Sequence, residues 1–248
     1  SQIKMDMISS PLIGISADME RRSSGSTESE YFLRCNYAEA IIEEGGIPVI
    51  LPYDTKHVVE TVNRLDGIVF SGGMFDIHPR HYGRQPPYQA LNMKETRTDF
   101  EMALMDAAIE KNMPVLGICN GMQLLAVMLG GRLIEDIGTD IDGCLEHLPF
   151  DPPTKASHEI NIVTDSRLHQ IAGTSISRVN SLHHQAVLDD GGVFVSARCC
   201  SDGVVEAIES SETPFCLGVQ WHPEYKTSEI DQRIFQTFIR HAAKTKQQ

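Results

Sequence analysis

The chain has 248 residues, 41% hydrophobic and 22% charged, a length and balance that suit a globular protein with a sizeable core. Its 21 basic residues stand against 34 acidic ones, and the net charge of −13 argues against nucleic acid or an anionic membrane as a general partner. Six cysteines, with neither close repeated spacing nor a CxxC pair, argue against a disulfide scaffold and a structural zinc site; they read as reduced thiols of a soluble, cytoplasmic protein.

Residues 1–10 read as a disordered arm, with no signal-peptide pattern. Leu12–Ser16 is expected to form a buried strand. Ser26 and Thr27, followed by Glu28 and Glu30, look like a helix start, with the acids where the helix dipole favours them. That helix is expected to run through Tyr31, Ala38, Ile41 and Ile42 and to stop at Gly45-Gly46. Ile47–Leu51 reads as a second strand, 55–64 as a short helix, and Leu65–Phe70 as a third strand leading into Ser71-Gly72-Gly73. An irregular stretch over 74–97 is long enough to suggest a functional loop. Asp99–Lys111 has helical spacing, with Phe100, Ala103, Leu104, Ala107 and Ala108 on one side.

Val115–Ile118 reads as a strand and Met122–Leu129 as an apolar helix closed by Gly130-Gly131. Between them lies Gly117-Ile-Cys-Asn-Gly121, a G-x-C-x-G turn. In a strand–turn–helix setting this is the cysteine version of a nucleophile elbow. Small residues two positions either side allow the tight turn, and the following helix N-terminus lies beside the thiol. Taken alone, the stretch fits a packed thiol as well as a nucleophile.

The second half changes character. His158–Val163, Val193–Ala197, Val204–Ile208 and Cys216–Gln220 read as clustered strands, and Glu229–Ala243 as an amphipathic closing helix. Alternation first and clustered strands later predict an α/β fold over one domain, 1–248. Its central sheet is expected to be mostly parallel, with helices on both faces and a small antiparallel extension.

Just beyond the Cys216–Gln220 strand, Trp221-His-Pro-Glu224 supplies a histidine and an acid two positions apart across a proline. A cysteine nucleophile needs a base within reach and a third group to orient that base, and His222 and Glu224 can supply both. Ser71-Gly72-Gly73 after its strand fits either an ordinary glycine turn or a backbone donor close to a substrate. His78 and His81 lie three apart without nearby Cys or acid partners and read as loop or surface histidines. His183 and His184, as strand neighbours, would face opposite ways.

The order of Ser71-Gly-Gly73, Gly117-Ile-Cys-Asn-Gly-Met-Gln123, Val179-Asn-Ser-Leu-His-His-Gln185, Asp202-Gly-Val-Val-Glu206 and Val219-Gln-Trp-His-Pro-Glu224 resembles a class I glutamine amidotransferase-type domain over nearly the whole chain. The resemblance is greatest to the γ-glutamyl hydrolase branch (peptidase C26), and within it to the γ-glutamyl-γ-aminobutyrate hydrolases of polyamine catabolism. Two further stretches resemble that branch: Asp76–Gly83, and the Arg97-Thr-Asp-Phe-Glu101 helix start. The resemblance implies a flavodoxin-like fold, with Cys119 as nucleophile, His222 as base and Glu224 as the orienting acid. It implies an oxyanion hole from the backbones of Gly73 and Asn120, and a glutamyl pocket near Gln123, His183, His184 and Gln185. It implies no cofactor, no metal and a small γ-glutamyl substrate. For oligomeric state a homodimer is the working guess, which neither the residues nor the resemblance fixes. The branch often carries Arg where this chain has Asn120, which leaves the backbone donor in place and removes a cation. Two other readings stay open: a glutaminase subunit passing ammonia to a separate synthase, and a non-catalytic binding or redox-sensing protein of the same fold.

Overall fold

The computed structural model describes residues 10–89, 91–149, 153–211 and 213–246. The expected arm lies outside them except for Ser10. The described elements run β1 (Leu12–Ser16), β2 (Asp18–Arg21), β3 (Ser29–Phe32), α1 (Cys35–Glu43), β4 (Ile47–Leu51), α2 (Val58–Arg64), β5 (Gly67–Phe70), α3 (Glu95–Glu110), β6 (Val115–Ile118) and α4 (Asn120–Met128). Then follow β7 (Arg132–Ile134), α5 (Ile137–Asp140), β8 (His158–Ile162), α6 (Arg167–Ala172), β9 (Ile176–Val179), β10 (Ala186–Leu188), β11 (Phe194–Cys199), β12 (Val205–Glu209), β13 (Cys216–Val219) and α7 (Glu229–Lys246). No helix among the described residues is long and apolar enough to cross a membrane.

One nine-stranded sheet runs in the order β4-β1-β5-β6-β13-β12-β11-β8-β9. The pairings from β4 to β13 are parallel. Those from β13 to β9 are antiparallel, so the expected extension continues the same sheet. β1, β5, β6 and β13 read as largely apolar runs because both faces are covered, whereas β4 at the edge leaves Ile47, Val49 and Ile50 exposed. Val69, Leu116, Ile118, Leu217 and Val219 face α1, α6 and α7, whereas Ile68, Phe70, Val115 and Cys216 face α2, α3 and α4.

The expected helix over Ser26–Ile42 begins later than its acids suggested. Residues 29–32 pair instead with β2 as a hairpin, and α1 starts at Cys35. Ser29, Glu30, Tyr31 and Phe32 are all exposed, and the period that buries one helix face begins only with Tyr37, Ala40 and Ile41. The Tyr31 ring meets Tyr53 edge-on at 5.0 Å, and its hydroxyl accepts the Tyr53 N–H at 3.1 Å, which holds the hairpin on the body. The glycine stop is as expected: Gly45 has φ 93°, and the N–H groups of Gly45 and Gly46 donate to Ile42 O and Ile41 O, both at 3.0 Å. Helix α3 begins at Glu95, four residues ahead of its expected start. The loop before it contains a 3-10 turn, Pro79–Tyr82, and is tied back by Arg84 to Glu135 at 3.1 Å.

Candidate active site

Cys119 leaves β6 with φ 54° and ψ −107°, and α4 begins at the next residue. A side chain rarely adopts such a backbone, and positions of this kind cluster at functional sites. The flanking glycines are there because backbone crowds them. A Cβ on Gly117 would lie 2.6 Å from Gly121 O, and one on Gly121 would lie 2.2 Å from Phe70 O. The Cys119 N–H donates to Val219 O at 2.8 Å, which registers the turn against β13. Its buried thiol faces Leu182 O at 3.6 Å and receives Gln220 Nε2 at 3.6 Å.

β13 delivers the second part of the site. Pro223 opens a 3-10 turn, Pro223–Tyr225, that folds Glu224 back beneath His222. His222 Nδ1 and Glu224 Oε1 are 2.5 Å apart and both side chains are buried. The Asn180 side chain clamps the His222 backbone from both sides: Oδ1 accepts its N–H at 2.7 Å, and Nδ2 donates to its carbonyl at 2.9 Å. Burial alone would push the imidazole down. The charges of Glu224 and Cys119 outweigh it and hold His222 well above its ordinary value. His222 Nε2 has no hydrogen-bond partner among the described residues, so the charge interaction with Cys119 is not a formed hydrogen bond.

Gly72 is the point where these groups converge. A Cβ there would meet His222 Cε1 at 2.8 Å, the Tyr37 hydroxyl at 3.0 Å and Cys119 Cβ at 3.4 Å. The Tyr37 hydroxyl accepts the Gly72 N–H at 3.0 Å. Burial, reinforced by the charge of Glu224, pushes that hydroxyl well up, so it stays protonated. From below, Arg97 Nη2 donates to Ser71 O at 2.8 Å and Gly72 O at 3.1 Å, while its Nε donates to Glu101 Oε1 at 2.8 Å. The guanidinium also lies 4.7 Å over the Phe75 ring. Arg97 and Glu101 are thus internal supports of the Ser71–Gly73 turn, while Asp99 between them is exposed.

Two adjoining cavities share Gly73, Met74, Asn92 and Leu182. The smaller, about 150 Å³, holds Cys119, Gln123, His183, His184 and Gln185, the five residues expected to gather around the substrate. The larger, about 300 Å³, holds His222, Tyr37, Gly72 and the charged residues Asp18, Glu20, Arg34 and Lys94. Gln123 Nε2 donates to Gln185 O at 3.3 Å and Gln220 Oε1 at 3.2 Å. His184 Nε2 meets Asp76 Oδ1 at 2.7 Å, whereas the His183 ring points inward; the two lie in the connection between β9 and β10, not in a strand as expected, so strand alternation is not what separates them. The Asn120 side chain enters neither cavity: its Nδ2 donates to Phe75 O at 3.0 Å and ties the helix start to the loop after β5. His78 caps the 3-10 turn by accepting the Arg80 N–H at 3.0 Å, with its ring 6.5 Å from that of His81.

The Peptidase C26 family model matches residues 11–224. The chain belongs to the Peptidase C26 family. A glutamine amidotransferase-like protein of Rickettsia prowazekii is 34% identical over 272 residues, covering 93% of this chain and 97% of the relative. A gamma-glutamyl-gamma-aminobutyrate hydrolase of Escherichia coli strain K12 is 32% identical over 246 residues, covering 94% of each. Among solved structures, the glutaminase domain of a Trypanosoma brucei CTPS with bound acivicin superposes with a TM-score of 0.64 at 18% identity over 94% of each chain. A GMP synthase component from Thermoplasma acidophilum gives 0.63 at 18% identity over 96% of each. These likenesses establish the class I glutamine amidotransferase fold for this Peptidase C26 chain.

Three residues of this candidate site escaped the sequence reading. Asn180 and Gln220 lie inside quoted motifs, and their adjacency to a strand end was the available signal. Tyr37 carries no such signal, because it looks like one more apolar residue on the buried face of α1.

Proposed function

We propose that this protein is a cysteine-dependent hydrolase that cleaves the γ-glutamyl amide bond of small γ-glutamyl amines. The observation that carries the reading is Cys119, held at a disfavoured φ between strand and helix, in a cavity beside a His222–Glu224 pair. The substrate's glutamyl part is assigned to the smaller cavity and its amine to the larger. The Cys119 thiolate attacks the γ-carbonyl carbon, and the oxyanion that forms rests on the backbone N–H groups of Gly73 and Asn120. Asn120 stands in the first turn of α4, where backbone donors have no partner within the helix. As the carbon–nitrogen bond breaks, protonated His222 gives its proton to the departing amine and leaves a γ-glutamyl thioester. His222 then takes a proton from water, the hydroxide displaces the thiolate, and glutamate leaves. Glu224 keeps the imidazole oriented and favours its charged form.

The likeness to the Escherichia coli gamma-glutamyl-gamma-aminobutyrate hydrolase supports γ-aminobutyrate as the amine. The larger cavity holds two exposed charges without an ion-pair partner among the described residues, Glu20 and Arg34. A carboxylate-bearing amine would select Arg34, and an amine with a second ammonium would select Glu20. The test is glutamate release from a panel of γ-glutamyl amides whose amines carry a carboxylate, an ammonium or no charge, with glutamine alongside. Turnover of γ-glutamyl-γ-aminobutyrate is expected without any partner protein, with Arg34→Gln raising KM for it alone. Loss of Cys119 as Cys119→Ala is expected to lower kcat at least ~10³-fold. Full turnover by Cys119→Ala, or glutamine as the preferred substrate only beside a synthase, would overturn the proposal.

A further inference from the structure

A second polar cluster lies inside the antiparallel half of the sheet. Glu206 on β12 is fully buried, and three imidazole nitrogens face its Oε1. His158 Nε2 stands 3.3 Å away, His147 Nδ1 3.6 Å and His183 Nε2 3.9 Å. All four side chains are buried.

The opposite nitrogen of each ring is already committed to a group that only accepts. His147 Nε2 lies 2.7 Å from Asp202 Oδ2, His183 Nδ1 2.7 Å from Gln185 O, and His158 Nδ1 3.3 Å from Glu159 O. The outer nitrogens of His147 and His183 therefore carry the proton, and the inner nitrogen of each neutral ring presents a lone pair to the carboxylate. Ser181 Oγ, 3.4 Å from His147 Nδ1, does not relieve this, because it donates to His147 O at 2.7 Å. His158 Nε2, His183 Nε2 and both Glu206 oxygens have no hydrogen-bond partner among the described residues. Buried acceptors aimed at one another are costly unless a cation sits between them. One proton on one ring would satisfy one contact and leave the other two lone pairs facing the carboxylate.

The spacing points to a metal. In a tetrahedral zinc site, bonds of about 2.0–2.1 Å place neighbouring ligand atoms roughly 3.3–3.4 Å apart. The separations of 3.3 and 3.6 Å from Glu206 to His158 and His147 lie near that edge length and exceed ordinary hydrogen bonds, whereas His183 Nε2, at 3.9 Å, lies outside the compact group. Asp202 behind His147 is the outer carboxylate that commonly orients a metal-binding imidazole.

We propose that His147, His158 and Glu206, whose ligand atoms all lie within 4.8 Å of one another, hold a zinc ion as three protein ligands. The ion would pin the loop carrying His147 to β8 and β12. His147 O in turn accepts the Ser181 hydroxyl at 2.7 Å and the His183 N–H at 2.9 Å, which ties that loop to the segment with Asn180, which clamps His222, and Leu182, whose carbonyl meets Cys119. The zinc site is independent of the hydrolase reading, and metal content reports on it without any activity measurement.

The experiment is metal analysis of the full chain purified without added metal or chelator, then chelator stripping and titration with zinc against a chromophoric chelator. One tight zinc site per chain is expected in wild type and in Cys119→Ala. At least tenfold weaker binding is expected in Glu206→Gln and His158→Gln. X-ray absorption of the wild-type zinc protein, which needs no variant to fold, is expected to show only nitrogen and oxygen neighbours near ~2.0 Å. Wild type that takes up no zinc would overturn the proposal. So would a sulfur neighbour near ~2.3 Å, or loss of the site in Cys119→Ala, which would place the ion on thiols instead.

Discussion

The two halves of the sheet bury different things. From β1 to β13 the parallel strands bury aliphatic and aromatic side chains, and the polar residues appear at their carboxyl ends: Ser16 closing β1, Ser71 after β5, Cys119 after β6 and Gln220 after β13. From β12 to β9, polar side chains sit within the strands themselves: Glu206 in β12, Ser196 in β11 and His158 in β8, all buried. Helices cover both faces of β1, β5, β6 and β13, so a polar group of these strands can reach a cavity only where a strand ends. That is the edge at which open α/β sheets place their sites. The antiparallel half contributes the segment that closes over this edge and holds it through a charged interior.

Steric tolerance should separate the halves most sharply. Gly121→Ala would drive its Cβ to within 2.2 Å of Phe70 O, a backbone atom of β5 that cannot step aside. A loss of about 3 kcal/mol or more is expected in denaturant unfolding, at the upper end of overpacking costs. The same exchange at Gly203, in the turn before β12, meets nothing within 4 Å and carries only the strain of φ 73°. It should cost about 1 kcal/mol. Equal losses at the two sites would mean that the parallel half is no more tightly determined than the other.

The junction between the halves can be probed by pH. His222 is held above its ordinary value although burial opposes this, because the charges of Glu224 and Cys119 prevail. Its folded-state pKa exceeds that of the unfolded chain. The stabilisation is therefore complete below about 6.5 and is lost as pH rises through the folded value. Glu224→Gln removes the larger of the raising charges. The alkaline limb of kcat/KM should move to lower pH, and kcat should fall ~10²-fold, the lower end of what general acid–base groups supply. An unchanged alkaline limb would show that Glu224 only positions the ring.

What could be read from the chain follows the same division. The elbow was legible because strand, turn and helix are contiguous, and Gly117 and Gly121 mark the crowding on either side of Cys119. His222 and Glu224 were legible because they follow an apolar run at once. The hairpin of β2 and β3 was not, because Glu28 and Glu30 after Ser26 and Thr27 imitate the first turn of a helix, and only the packing of Tyr31 on Tyr53 decides otherwise. The cluster around Glu206 was invisible for a different reason. His147, His158 and His183 come from separate loops and strands, and no local spacing records that three rings meet one carboxylate. Within Asp202–Glu206 the sequence displays both acids, but only the fold shows that one orients a histidine and the other receives three.

The smallest expected effect concerns Cys119 itself. At most positions, replacing Ala by Gly destabilises by roughly 0.5–1 kcal/mol, because glycine loses more freedom on folding. At φ 54° and ψ −107° alanine must bear a backbone that only glycine adopts freely, a strain of about 1–3 kcal/mol. The order should therefore invert, with Cys119→Gly more stable than Cys119→Ala by about 1 kcal/mol in denaturant unfolding. Both variants remove the thiol and leave Gly117, Gly121 and the Cys119 N–H contact to Val219 in place, so their difference isolates the backbone. If the alanine variant proves the more stable, the turn is relaxed, and the thiol is presented by its neighbours rather than by strain stored in the parallel half.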